Sequence, residues 1–275
     1  MEKDSGSLFL KQALRPRDQA VLLSFDVNLN LLQDYTNNSE TLIRALNKAE
    51  INGDGGVPAT KDTHGIPDPV PVAEPPGAHF YDAIYLAADK KLNQETGRKA
   101  MIVLSDGEDQ DSSFTSQDVI AEAEKNNIAV FVIWSGGPKC FDPKNRRMPW
   151  QPKTPGENKY PLPDYQASQA HRSQGDGRDE CAAANWKKAI CPGYFVAKCI
   201  SEHTGGKFII PQNGFQLERA FKQIEDDLRS HYWATYLPSD TRADGRFHRI
   251  EIQCSADDGE SLKVQMRRGY YADTK

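Results

Sequence analysis

The sequence predicts an α/β fold, a doubly wound and mainly parallel sheet flanked by helices, with a small antiparallel β appendage at its C-terminal end. Three observations carry this expectation. Short continuous apolar runs end in polar residues, helical stretches alternate with those runs, and near the C-terminus the pattern changes to strand-like runs separated by turn clusters.

Asp4, Ser5, Gly6 and Ser7 read as part of a first helix, an ordinary helical turn. Residues 20–26 (AVLLSFD) have the continuous apolar character of a strand buried on both faces of a parallel sheet. VNLNLLQ alternates in period two and follows closely, which predicts an antiparallel edge strand, and SETLIRALNKA is the next helix. Residues 52–77 are rich in Pro, Gly and Asp, a composition that cannot pack a core and reads as an exposed loop.

FYDAIYLAADKKL and SQDVIAEAEKN then read as helices, each leading into an apolar strand, KAMIVLS at 99–105 and IAVFVIW at 128–134. Residues 135–193 carry many prolines, many charges and three of the five cysteines without periodicity, so they form an insertion. YFVAKCISEHTGG is a helix with a Gly205–Gly206 stop signal, and KFIIP is a candidate sixth strand. FQLERAFKQIEDDLRSH is the clearest amphipathic helix of the chain. In the tail, HYWATYLP, FHRIEIQCS and LKVQMRRGYYA are strand-like and separated by DTRADG and ADDGE. The expected division is a main α/β domain over 1–230 and the β appendage over 231–275.

Bulk properties narrow the function. A chain of 275 residues can bury a proper core. The apolar fraction of 38% and the mean hydropathy of −0.68 agree with a large share of loop. The net charge of −5 mixes both signs and offers no basic stripe, so nucleic acid is not an expected partner. No apolar run is long enough to span a bilayer, and residues 1–14 lack the apolar core of a signal peptide. The five cysteines include no CxxC pair, which argues against a zinc knuckle or a thioredoxin-type site, and their odd number leaves at least one thiol free. Cys181 and Cys191 lie close enough in sequence to bridge, as would suit an oxidising compartment.

Ligands of an open parallel sheet bind beyond the carboxyl ends of its strands. The richest such end is LSDGEDQD, where Asp106, Glu108, Asp109 and Asp111 supply hard oxygen ligands suited to Mg2+ or Ca2+. An EF-hand reading fails on the residues at Gln110 and Asp111. The ordered series LRPRD, the strand ending FD, FYDAI, IVLSDGED, VFVIW, TGGKFI and RRGYY resembles the von Willebrand factor A-like (VWA) domains, in the VWA-related family widespread in acidobacterial genomes.

That resemblance implies a binding module with a metal-ion-dependent adhesion site, in which a divalent ion accepts an acidic side chain of a protein partner. Asp106 matches the third-loop Asp of such sites. Ala78 stands where the second loop usually supplies a Thr, and the DxSxS motif with its central strand is not found upstream of LFLKQALRPRD. Asp4, Ser5 and Ser7 have the wrong spacing for that motif, since the Asp position falls on Lys3. The strands on either side of the lost one are expected to present edges open to strand addition. The implied site is therefore degenerate, with Mg2+ or Ca2+ held weakly or not at all, and its family members are usually exported.

The expected function is non-catalytic protein binding. The alternative is a metal-dependent hydrolase using Asp106, Glu108 and Asp109 of the acidic loop 106–111, for which no nucleophile or base is identifiable. GxSxG, HExxH, P-loop and GxGxxG signatures do not occur. A third reading is a scaffold that binds through Tyr232, Trp233, Tyr236, Arg267, Arg268, Tyr270 and Tyr271, residue types enriched at interfaces. His79 beside Ala78 reads as a polar loop residue, His203 as a helix-surface histidine, and Trp150 and Trp186 as anchors of the insertion.

Overall fold

The computed structural model describes residues 2–25, 28–49, 78–136, 192–230, 236–239, 246–255, 261–262 and 264–272. The chain divides into two compact units. The first comprises residues 1–83, 109–113 and 210–234, and the second comprises residues 84–108, 114–209 and 235–275. The division falls within the acidic loop, between Glu108 and Asp109, and within one helix, between Ala83 and Ile84.

In the first unit, helix α1 (Glu2–Ala13) is followed by β1 (Ala20–Phe25), β2 (Leu29–Thr36) and α2 (Ser39–Lys48). Asn38 caps α2, its side-chain oxygen accepting from the backbone N–H groups of Glu40 and Thr41, so two donors at the helix start are satisfied. The amphipathic helix predicted after the Gly205–Gly206 pair is α6 (Gly214–Arg229), capped by Asn213. It packs on α1, where Phe9 stacks on Phe221 at 4.9 Å between ring centres. The Arg229 guanidinium donates to the Gln12 carbonyl at 2.6 Å.

β1 corrects an expectation. Its apolar run predicts a strand of the parallel sheet, yet among the described residues it pairs only with β2, antiparallel, in a two-stranded sheet of its own. All six of its residues are half-buried. The link from Phe25 to Leu29 is too short for the crossover that parallel pairing with the next strand requires, so antiparallel pairing is the local solution. β2 is the antiparallel strand that its period-two pattern predicts.

The second unit is built on a three-stranded parallel sheet of order β3–β4–β5, formed by Lys99–Ser105, Ile128–Trp134 and Phe208–Ile209. β3 and β4 pair without a slip over seven residues, from Lys99 opposite Ile128 to Ser105 opposite Trp134. Helix α4 (Ser116–Lys125) opens with a capping box in which Thr115 and Asp118 satisfy each other's backbone N–H. Helix α5 (Pro192–Thr204) ends at Gly205, whose φ of +80° is the left-handed conformation that a helix stop of this kind needs. Val119, Ile120, Val130, Val132, Val196 and Ile200 are each 0–1% exposed and form the core of this unit.

FYDAIYLAADKKL, expected to be one helix, is α-helical over Phe80–Leu86 (α3) and continues as a π-helix over Ala87–Leu92. An apolar pattern records which side of a helix is buried but not whether its hydrogen bonds span four residues or five.

The C-terminal appendage is antiparallel, as predicted, but shorter. β6 (Phe247–Arg249) pairs with β9 (Gly269–Tyr271), and β7 (Cys254–Ser255) pairs with β8 (Ser261–Leu262). Of the expected strand HYWATYLP, residues 236–238 are described and are not in a strand. Among the described residues no helix is long and apolar enough to cross a membrane.

Candidate functional site

The acidic loop begins where β3 ends. Ser105 is buried and its hydroxyl accepts from the Gly107 N–H at 3.0 Å. Asp106 accepts from the Glu108 N–H at 3.2 Å. These two side-chain bonds fold the chain into a turn directly after the strand, the mechanism by which Ser and Asp compete with regular structure.

Gly107 has φ +64°, and a Cβ there would lie 2.4 Å from the Gly193 carbonyl oxygen at the start of α5. Only glycine satisfies both the backbone angle and the close approach. The turn places Asp106 and Glu108 at the surface, both exposed. Partial desolvation, followed by the negative charge of Asp106, raises the Glu108 carboxyl above the usual carboxylate range. Two like charges thus influence each other just beyond the end of β3.

In the first unit the remaining acids serve different ends. Asp109 Oδ1 accepts from the Tyr81 N–H at 3.0 Å and from the Ser112 hydroxyl at 2.6 Å. The Ser112 Oγ in turn accepts from the Asp82 N–H at 3.2 Å. Asp109 and Ser112 thus satisfy donors in the first turn of α3 from a distant part of the sequence. Asp111 holds a left-handed φ of 58°, which Asp tolerates better than most residues.

Ala78 is half-buried just before α3, and its carbonyl accepts from the Gln110 N–H at 3.0 Å. It contributes backbone, and a methyl group that cannot ligate an ion. His79 lies 3.9 Å from Asp82 on the same turn, with its carbonyl accepting from the Ala83 N–H.

Among the described residues, no group of three His, Cys, Asp or Glu side chains gathers as a metal site. The second unit brings Asp106 and Glu108 together, whereas a Mg2+ or Ca2+ ion takes roughly six or more oxygen ligands. Asp109 spends one carboxylate oxygen on α3. These side chains do not by themselves fit a tightly held divalent ion.

His203 departs from the surface position expected of it. It is 2% exposed, its Nε2 lies 3.0 Å from Arg268 Nη1, and its carbonyl accepts from the Arg268 N–H at 3.1 Å. Burial, then the charges of Arg268 and Arg249, lower its pKa to about 3. It is a neutral imidazole that ties α5 to the segment leading into β9. The neighbouring Thr204 hydroxyl accepts from the Val130 N–H at 3.0 Å and so joins α5 to β4.

Cys199 on α5 is disulfide-bonded, with its partner outside the described residues, and Cys254 is a free, exposed thiol. Cys181, Cys191, Trp150, Trp186, Tyr232 and Trp233 also lie outside the described residues. Tyr236 and Tyr270, from the aromatic set of the tail, face each other with ring centres 6.4 Å apart.

No family model matches the chain, and no curated protein matches it. The solved structures that show some likeness include the following three. Conserved hypothetical protein BatB of Bacteroides thetaiotaomicron is 17% identical over 82% of this chain and 86% of that one, with a TM-score of 0.46. An aerotolerance-related membrane protein of Bacteroides fragilis NCTC 9343, carrying multiple mutations to serines, is 16% identical over 82% and 88%, with a TM-score of 0.44. An uncharacterized membrane spanning protein of Vibrio fischeri is 15% identical over 83% of each chain, with a TM-score of 0.26. Likeness of this degree defines neither the fold nor the activity of this chain.

Proposed function

We propose that this chain is a non-catalytic protein-binding module of VWA type, whose acidic loop is a degenerate adhesion site. The observation that carries the reading is the exposed pair Asp106 and Glu108, presented by a fixed turn at the carboxyl end of β3. That is where ligands of an open parallel sheet bind. The pair supplies charge for recognition, and no nucleophile or general base converges on it from the described part of its unit, as a hydrolase would need.

A divalent ion contributes weakly or not at all, because Asp109 is engaged with α3 and Ala78 has no hydroxyl. The disulfide at Cys199 suits an oxidising, extracytoplasmic setting.

Isothermal calorimetry of Mg2+, Mn2+ and Ca2+ against the purified chain and against Asp106→Ala tests the reading, together with turnover assays on activated ester and phosphate substrates. Weak heat that vanishes in Asp106→Ala, or no heat in either protein, with no turnover, is the expected result. Tight ion binding coupled to turnover that Asp106→Ala abolishes would establish the hydrolase instead.

A further inference from the structure

The segment that leads into β9 is held to the end of α5 by a run of polar contacts. The Gln265 amide donates to the carbonyls of Gly205 and Gly206, at 2.8 and 3.0 Å. The Arg267 guanidinium donates to Asn127 Oδ1 at 3.4 Å. The Arg268 N–H donates to the His203 carbonyl, its Nη1 lies 3.0 Å from His203 Nε2, and its Nη2 lies 3.6 Å from Glu202 Oε2. A Cβ on Gly205 would stand 2.8 Å from the Arg267 nitrogen, so the two backbones approach closely. The His203 carbonyl is one of those that a helix leaves without an intrahelical partner at its end, and the segment satisfies it in place of water.

Such a seam can open without the core beneath it. Gln265 is exposed and Met266, Arg267 and Arg268 are half-buried, and hydrogen bonds close to solvent open locally at less cost than packed strands. One contact of the seam depends on a proton. A guanidinium only donates, so His203 Nε2 accepts, which requires a neutral imidazole. A protonated ring would set a second donor and a like charge against Arg268 at a site that is 2% exposed. Arg268 and Arg249 face the ring from the tail, and the exposed Glu202 is the neighbouring carboxylate on its own helix. Beneath α5, β4 and β5 carry no ionisable residue. On α4, Asp118 caps its own helix, Glu122 is held by Asn126 and Lys125, and Glu124 is buried. β6 also holds His248, whose ring stacks on Tyr270.

We propose that residues 265–268 form an acid-released strap, in which protonation of His203 frees the strap, and β9 with it, from α5 while the parallel sheet stays folded. Burial sets the sign of the effect. The closed strap holds His203 with its pKa lowered from 6.5 to about 3, and opening returns the ring to water. The closed form is therefore favoured in full above pH 6.5 and loses ground as the pH falls toward 3. The inference is independent of what the acidic loop binds.

Amide hydrogen exchange on the full chain, followed by NMR and read as protection relative to the intrinsic rate at each pH, tests it. The Arg268 N–H reports on the strap, and the Val132 N–H, bonded to the Lys207 carbonyl, reports on β4. Arg268 should be less protected than Val132 throughout, and its protection should fall about 25-fold between pH 7 and pH 5. His203→Gln, which accepts from Arg268 without titrating, should abolish that fall. Gln265→Ala leaves His203 in place and should lower the protection of Arg268 about tenfold at every pH, with the slope unchanged. Protection of Arg268 that does not vary with pH, a fall of equal size in His203→Gln, or equal protection of Arg268 and Val132 at each pH would overturn the proposal.

Discussion

β1 and β4 begin from similar stretches of sequence, AVLLSF and IAVFVIW, and end in different surroundings. Every residue of β1 keeps part of its surface accessible, and its pairing with β2 is irregular. β4 buries all its residues except Ala129, which is half-buried, and lies between β3 and β5 with α4 and α5 packed against it. Apolar composition earns burial only where neighbours exist on both edges and faces of a strand. Among the described residues β1 has one strand neighbour and β4 has two, and that difference in coverage outweighs any difference in residue type.

The contrast can be broken most directly by truncation. Phe131→Ala in β4 removes a side chain that is 1% exposed and should cost about 3–5 kcal/mol in chemical denaturation, whereas Leu22→Ala in β1 should cost about 1 kcal/mol. Equal losses at the two sites would mean that coverage does not set the difference.

A second test uses pH, because the parallel-sheet unit contains a buried histidine and the effect has a defined sign. His203 has its pKa lowered from 6.5 to about 3, so the unfolded chain binds a proton that the folded chain refuses. Its contribution is complete above pH 6.5 and is lost as the pH falls toward 3. Between pH 6.5 and 4 the loss should be about 3 kcal/mol, from roughly 1.4 kcal/mol per unit. His203→Gln keeps an acceptor for Arg268 and should flatten this part of the stability profile. A profile as steep as that of the parent chain would remove His203 as the cause.

Gly206→Ala probes how closely α5 and β4 approach, since a Cβ there would lie 1.9 Å from the Val130 carbonyl oxygen. Thermal unfolding should show a loss of about 1–3 kcal/mol. The smallest expected effect belongs to the first unit. Asp109→Ala removes the acceptor for the Tyr81 N–H at the start of α3 and should cost about 1 kcal/mol, measured by denaturation. If Asp109→Ala is neutral in stability but alters ion binding in calorimetry, Asp109 is a ligand rather than a cap.

Much of the fold was legible residue by residue. α2, α4 and α6 announced themselves by apolar spacing and α5 by its glycine stop, and the structure adds Asn38, Thr115 and Asn213 as the caps of the first three. These signals are local, because each cap bonds N–H groups two or three residues away. The site was legible only in part. Asp106 could be placed because a strand end is visible in the sequence, whereas the commitment of Asp109 to the first turn of α3 depends on a bond spanning 28 residues. No local pattern marks that bond. The burial of His203 has the same cause, since Arg268 lies 65 residues away.

The sequence by itself determined the alternation of strands and helices, the position of the acidic turn and the antiparallel character of the tail, because periodicity, caps and turn residues act within a few positions of one another. Tertiary structure alone decided that β1 pairs, among the described residues, with β2 alone, that Asp109 supports a helix start and that His203 is a neutral buried contact. Each of these depends on which distant groups remove water from a residue and which donors they bring to it, and separation along the chain carries no record of that.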